Sequence, residues 1–157
     1  MSLIVVRHAH AGNRSAWTGA DSQRPLSEKG EAQARHLVGP LVALEPKWIL
    51  SSSAVRCRQT VEPLAVEIGL DVVDDHRLYE GASTRAVAEL LDDVAGTTTV
   101  VCSHGDIIPR ILDELIGRGM TCDDELRWQK ASTWVIDHTR TTGWGHARYL
   151  PPPEKKG

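Results

Sequence analysis

The strongest constraint in this sequence is a set of short, wholly apolar runs that each stop at a polar cluster. "LIVV", beginning at Leu3, is followed at once by Arg7 and His8. "WIL", beginning at Trp48, runs into Ser51, Ser52 and Ser53, and "TTTVVCS", beginning at Thr97, runs into His104, Gly105 and Asp106. A run of β-branched residues with no polar alternation fits a strand covered on both faces, as in a parallel sheet packed between helices.

The segments between these runs change period. Ala34, Leu37, Val38, Leu41 and Val42 recur at helical spacing after Ser27, although Gly39 and Pro40 should kink or split that helix. Cys57, Val61, Leu64, Ala65 and Ile68 share one face of a second helix, with Gly69 as its stop and Pro63 expected to disturb its regularity. "LDVV" at Leu70 reads as a short strand, and Val87, Leu90, Leu91 and Val94 mark a third helix. Ile107, Ile108, Ile111, Leu112, Leu115 and Ile116 mark a fourth, with Pro109 tolerated in its first turn. "STWVID" and "GHARYL" are strands joined by a turn around Thr142 and Gly143. The expected fold is a three-layer α/β/α arrangement with a mostly parallel central sheet flanked by helices. One domain is expected over residues 1–150, with 151–157 a disordered or extended tail.

Charge and cysteine usage exclude several classes. The 18 Lys and Arg against 21 Asp and Glu leave a formal charge of -3, no general field for a nucleic acid polymer, so an anion site must be local. Cys57, Cys102 and Cys122 are odd in number and lack CxxC spacing, which points to a reducing compartment and small packing roles. Four apolar residues cannot span a bilayer or form a signal-peptide core, so a cytoplasmic protein without membrane contact is expected.

In such sheets the ligand crevice lies beyond the carboxyl ends of the strands. Those ends carry Arg7 and His8, then Arg56 past the serines, then Glu80 past Leu78 and Tyr79, then His104. Two converging guanidinium forks match phosphate oxygens, and a helix starting just after His104 would add backbone donors. An imidazole of ordinary pKa is roughly three-quarters neutral at pH 7, and nearby arginines push it further toward the neutral nucleophile. Such a set can transfer a phosphoryl group without a metal, using a protonated second histidine and a carboxylic acid for the leaving oxygen.

"VRHAHAG", "RPLSEKGEAQA", "SSSAVRCRQT", "RLYEG" and "VVCSHGD" resemble, in order and spacing, the histidine phosphatase superfamily with its phosphoglycerate mutase-like fold. The resemblance covers Leu3 to about Ile116. It implies that His8 becomes phosphorylated, that Arg7, Arg56 and His104 form the phosphate pocket, and that Glu80 is the proton donor. Within the superfamily the chain looks most like the SixA-type phosphohistidine phosphatases, in which Arg24 reaches the phosphate. It is also similar to the phosphatase half of two-domain Nudix and histidine phosphatase proteins, which adds nucleotides and small phosphoesters to phosphohistidine proteins as candidate substrates. No cofactor or metal is implied, and oligomeric state is left open.

The chain departs from the pattern at Ala9, where the family has glycine, which implies a small change of loop geometry. The asparagine of the mutase-like branch falls between Asn13 and Arg14, and neither is assigned that role. His10 could line the pocket mouth or face solvent. His36, His76, His138 and His146 read as surface or packing residues, while Trp17, Trp128 and Lys130 could border the substrate, packing being the usual role of Trp. Two rivals remain. One is a catalytically silent phosphoanion-binding module in the same fold. The other is a zinc hydrolase built on His8-x-His10 with His104 and Asp106, against which the charges of Arg7 and Arg56 count.

Overall fold

The structure, a computed structural model, describes residues 1–153. Its elements are β1 (Ser2–Arg7), α1 (Glu28–Val42), β2 (Trp48–Ser51), α2 (Val55–Ile68), β3 (Val72–Asp74), α3 (Thr84–Val94) and β4 (Thr99–Ser103), then α4 (Ile108–Gly117), β5 (Thr121–Cys122), β6 (Thr133–Thr139) and β7 (Gly143–Leu150). The strands form one seven-stranded sheet in the order β3-β2-β4-β1-β6-β7-β5. Pairings are parallel for β1 with β4, β2 with β3 and β4, and β5 with β7; β6 is antiparallel to both its neighbours.

Strand alternation divides the core between the two faces of the sheet. Leu3 and Val5 of β1 join Val87, Leu90 and Leu91 of α3 and Ile111, Leu112 and Leu115 of α4. Ile4 and Val6 point the other way, to Leu37 and Leu41 of α1 and Val61 and Leu64 of α2. Each of these four β1 residues is at most 1% exposed, which explains why the run carries no polar alternation. Burial on this scale contributes about 1.5–3 kcal/mol per large aliphatic side chain.

Local signals set the helix ends. Ser27 caps α1, its hydroxyl accepting from Gly30 N–H at 3.1 Å, and Ser83 does the same for α3 with Ala86. Gly69 ends α2 in the left-handed conformation, φ 69°. Gly30 is required by packing, since a Cβ there would stand 1.9 Å from the His10 carbonyl oxygen.

Several details differ from expectation. Gly39 and Pro40 do not split α1: Pro40 lies in its last turn, and His36, whose carbonyl loses a partner, is on the exposed side where water can serve it. Pro63 likewise sits within an unbroken α2. The two-residue edge strand β5, directly after Met120, was not anticipated, nor were the 3-10 turns at Arg14–Ala16, Asp21–Gln23 and His76–Leu78. Ile116, read as part of the apolar face of α4, is 44% exposed. Helix α4 begins at Ile108, a few residues later than a start directly after His104. Pro151 to Pro153 follow β7 without regular structure, and the rest of the expected tail, 154–157, lies outside the described residues.

Candidate active site

The adjacent ends of β1 and β4 place the first half of the site. Arg7 pairs with Ser103 in the sheet, and His8 N–H donates to the Ser103 carbonyl at 3.1 Å, which sets His8 and His104 just past the ends of neighbouring strands. Their rings meet edge to face, centroids 5.6 Å apart. The segment before β6 holds this strand end from the other side. Ala131, in a left-handed conformation (φ 65°), donates its N–H to the carbonyls of Arg7 and His8 at 3.1 and 3.2 Å. Such a conformation costs a non-glycine residue about 1 kcal/mol or more.

His8 is 5% exposed. Its Nδ1 lies 2.9 Å from the Ala9 carbonyl, which can only accept, so Nδ1 carries the proton and Nε2 keeps its lone pair. Burial, followed by the charges of Arg56, His104 and Arg7 and opposed by the Ala9 bond, lowers its pKa to about 3. Ala9 fits where the family has glycine: it is fully buried beside Ala11, Leu26, Ala34 and Ala131, and its N–H donates to Thr60 Oγ1 at 2.9 Å.

The guanidinium of Arg7 is fixed by Nη1 donating to the Trp128 carbonyl at 2.8 Å. It passes so close to Gly105 that a Cβ there would lie 2.8 Å from Nη2. Arg56, in the first turn of α2, is 2% exposed; Nη1 donates to the Asp21 carbonyl at 2.9 Å and Nη2 to Glu80 Oε1 at 2.5 Å. The Nε atoms of both Arg7 and Arg56 are buried without an acceptor. A buried donor left unpaired costs about 1–3 kcal/mol, which an incoming oxyanion would recover.

His104 is 2% exposed, with Nε2 2.7 Å from Ser52 Oγ and Nδ1 3.2 Å from Glu80 Oε1 and 3.3 Å from Arg56 Nη2. Glu80 reaches this position because its loop is tied down twice. Ser103 Oγ donates to the Leu78 carbonyl at 2.6 Å, and Asp106 accepts from Gly81 N–H at 2.8 Å. Arg24 is 8% exposed and donates from Nη1 to the Ala11 carbonyl at 2.6 Å and from Nε to Asp21 at 3.0 Å.

All six residues named from the sequence, Arg7, His8, Arg24, Arg56, Glu80 and His104, thus belong to one connected group. Others fall elsewhere. His10 is half-buried, and its Nδ1 is 2.6 Å from Ser27 Oγ, joining it to the α1 cap. Asn13 is turned onto its own turn, accepting from Ser15 N–H at 3.0 Å, whereas Arg14 bonds Asp21 and Glu80. Trp128 packs against the core. Trp17 does not pack: it is 38% exposed on the loop over residues 12–20. Lys130 is half-buried, and burial followed by the charges of Arg7, Arg24, Arg56 and Lys29 lowers its pKa. His36, His76 and His146 are exposed and His138 packs on Trp144 at 4.7 Å. Among the described residues, no three His, Cys, Asp or Glu side chains are placed to hold a metal ion.

Sequence reasoning missed two neighbours. Asp21 bridges Arg14, Arg24 and Arg56, and buried Cys57 puts its Sγ 3.5 Å from His104 Nε2. For Cys57 the adjacency to Arg56 was a usable signal. For Asp21 nothing short of the loop's path could have served.

Comparison with known proteins gives the class of this chain. Residues 3–83 match the model of the histidine phosphatase superfamily, branch 1, and the chain belongs to that family. It is 35% identical over 160 residues to an 8-oxo-(d)GTP phosphatase of Mycolicibacterium smegmatis, a match covering 99% of this chain and 49% of that protein. The chain therefore spans about half the length of that relative. Among solved structures it resembles a chain assigned as the phosphohistidine phosphatase SixA of Agrobacterium tumefaciens, with TM-score 0.71, 25% identity and coverage of 96% and 97%. A second, assigned to SixA of Nakamurella multipartitia, shares the fold at TM-score 0.74 and 23% identity, covering 96% of this chain and 95% of that one. Its fold is the phosphoglycerate mutase-like arrangement of that family.

Proposed function

We propose that residues 1–150 act as one domain, a metal-independent phosphohydrolase that works through a phosphohistidine formed on His8. The observation that carries this reading is the pair of unpartnered, buried guanidinium Nε atoms, on Arg7 and Arg56, beside an imidazole held neutral with Nε2 free. Arg7, Arg56, His104 and Arg24 hold the phosphoryl oxygens while Nε2 attacks phosphorus and the phosphorus–oxygen bond of the leaving group breaks. Glu80, 3.2 Å from the His104 ring, gives the departing oxygen its proton. Water then attacks phosphorus, returning a proton to Glu80 as the phosphorus–nitrogen bond breaks. The positive surround replaces a Lewis acid and repels a divalent cation, so turnover should persist in chelator.

The presence of Glu80 favours an oxygen ester, whose leaving group needs a proton, over phosphohistidine, whose leaving group needs less. Small phosphoesters and nucleotides are the first substrate class; similarity to a named nucleotide phosphatase supports it. Phosphohistidine on a protein is the second, supported by the SixA likeness. No described helix is long and apolar enough to cross a membrane. Composition favours the cytoplasm as the working compartment.

The test is a screen of phosphorylated metabolites, nucleotides and one phosphohistidine protein, with His8→Ala alongside. Loss of the nucleophile should lower kcat by at least about 10⁴-fold and abolish acid-labile labelling from a phosphodonor. Turnover retained in the variant would end the proposal.

A further inference from the structure

Asp21 holds three guanidiniums at once. Its Oδ2 lies 2.9 Å from Arg14 Nη2 and 3.1 Å from Arg56 Nη2, and its Oδ1 accepts from Arg24 Nε at 3.0 Å. Two of these partners, Arg24 and Arg56, belong to the clamp assigned to the phosphoryl group. Arg56 is nearly fully buried, and a buried guanidinium needs a counter-charge, which Asp21 supplies. Hydrogen bonding from Arg14, then from Arg24, holds the Asp21 carboxyl far below the usual range, so it remains an anion at any working pH.

A phosphoryl oxygen and Asp21 seek the same donors. A dianion engaging the free Nε atoms of Arg7 and Arg56 would lie beside Nη2 of the same Arg56 fork, where Asp21 stands. We propose that Asp21 sets the anion affinity of the clamp: its carboxylate holds the Arg24 and Arg56 donors until a phosphoryl oxygen takes them. Displacement does not strand the carboxylate, because Arg14, exposed and facing it with both Nη2 and Nε, remains as its partner. The product, inorganic phosphate, meets the same competition, so Asp21 weakens product binding and hastens release. This role rests on the phosphatase reading and acts on binding, with no bond made or broken by Asp21 itself.

Calorimetric titration of inorganic phosphate and of vanadate into the wild type, Asp21→Asn and Asp21→Ala tests the assignment. Removing one charge a few ångströms from the bound anion should tighten binding of both oxyanions about ten-fold, with KM falling in parallel and kcat not rising. Asp21→Glu, which restores the charge, should return binding toward the wild-type value. A merely structural role predicts the opposite sign, because loosened arginines bind less well. Unchanged or weaker binding in both neutral variants, with melting curves showing folded protein, overturns the proposal. The loop over residues 12–20 is exposed, and the alanine variant serves should the asparagine one fold poorly. Failure of the wild type to bind either anion would instead overturn the phosphatase reading and this proposal with it.

Discussion

The floor of the site and its rim are built on different terms. The floor, Arg7, His8, Arg56 and His104, comes from the ends of β1 and β4 and the first turn of α2. His8, Arg56 and His104 are each at most 5% exposed. The rim, Arg14, Asp21 and Glu80, comes from loops, and these side chains are 65%, 32% and 37% exposed. Arg7, His8 and Arg56 each bond a backbone carbonyl, whereas the rim side chains bond mainly charged partners, Arg56 among them. Charge pairs in contact with water are worth little individually and exchange readily, while buried donors demand a fixed partner. The floor therefore fixes the geometry of the phosphoryl group, and the rim, beyond the proton that Glu80 supplies in the proposed reaction, adjusts affinity.

The sharpest way to break this contrast is to disturb the floor without touching a charged group. Gly105→Ala places a methyl group 2.8 Å from Arg7 Nη2 and 3.0 Å from its Cζ, so the guanidinium must move. The rest of the fold has no reason to change. A displacement of this order should lower kcat/KM by about 10² or more while the melting temperature shifts little. Near-normal activity on the best substrate from the screen would mean that Arg7 has slack, and that the floor is no more exacting than the rim.

A smaller effect follows from holding His8 neutral. Its native pKa of about 3 lies below the ordinary value of 6.5, so between these limits the unfolded chain takes up a proton that the folded one refuses. The contribution to stability is complete above pH 6.5 and is lost as pH falls toward 3. At pH 5 roughly 2 kcal/mol should be gone. Urea unfolding at pH 7.5 and pH 5.0, for the wild type and for His8→Ala, isolates this part, since other groups cancel in the double difference. An identical pH dependence in both proteins would show His8 titrating normally, and with it a floor as well solvated as the rim.

The same division explains what could be read from the sequence. Arg7, His8 and His104 follow directly from apolar runs whose lack of alternation marks buried parallel strands, so their address is local. Arg56 needed one further step, the short link from β2 into α2. Glu80 was found by motif, while the bonds that aim it, from Ser103 to Leu78 and from Asp106 to Gly81, span 25 residues each. Asp21 was missed because its role depends on how residues 12–24 double back through two 3-10 turns. The sequence left His10 open for a related reason, its partner Ser27 being fixed by the packing of α1 on the loop at Gly30. Proline in α1 and α2 misled because propensity says nothing of which face of a helix meets water.

The mildest test concerns Arg14, which occupies the approximate position of the mutase-branch phosphate contact. Here it is the most exposed member of the rim and bonds only carboxylates: Asp21 at 2.9 Å and Glu80 at 3.4 Å. An exposed pair of this kind contributes at most about 1 kcal/mol. Arg14→Ala should therefore change kcat/KM by no more than about three-fold and stability by less than about 0.5 kcal/mol. Added salt, which screens exposed charges, should shrink the difference further. A hundred-fold loss that persists in salt would place Arg14 on the phosphoryl group itself, and Arg14 would then belong with the floor.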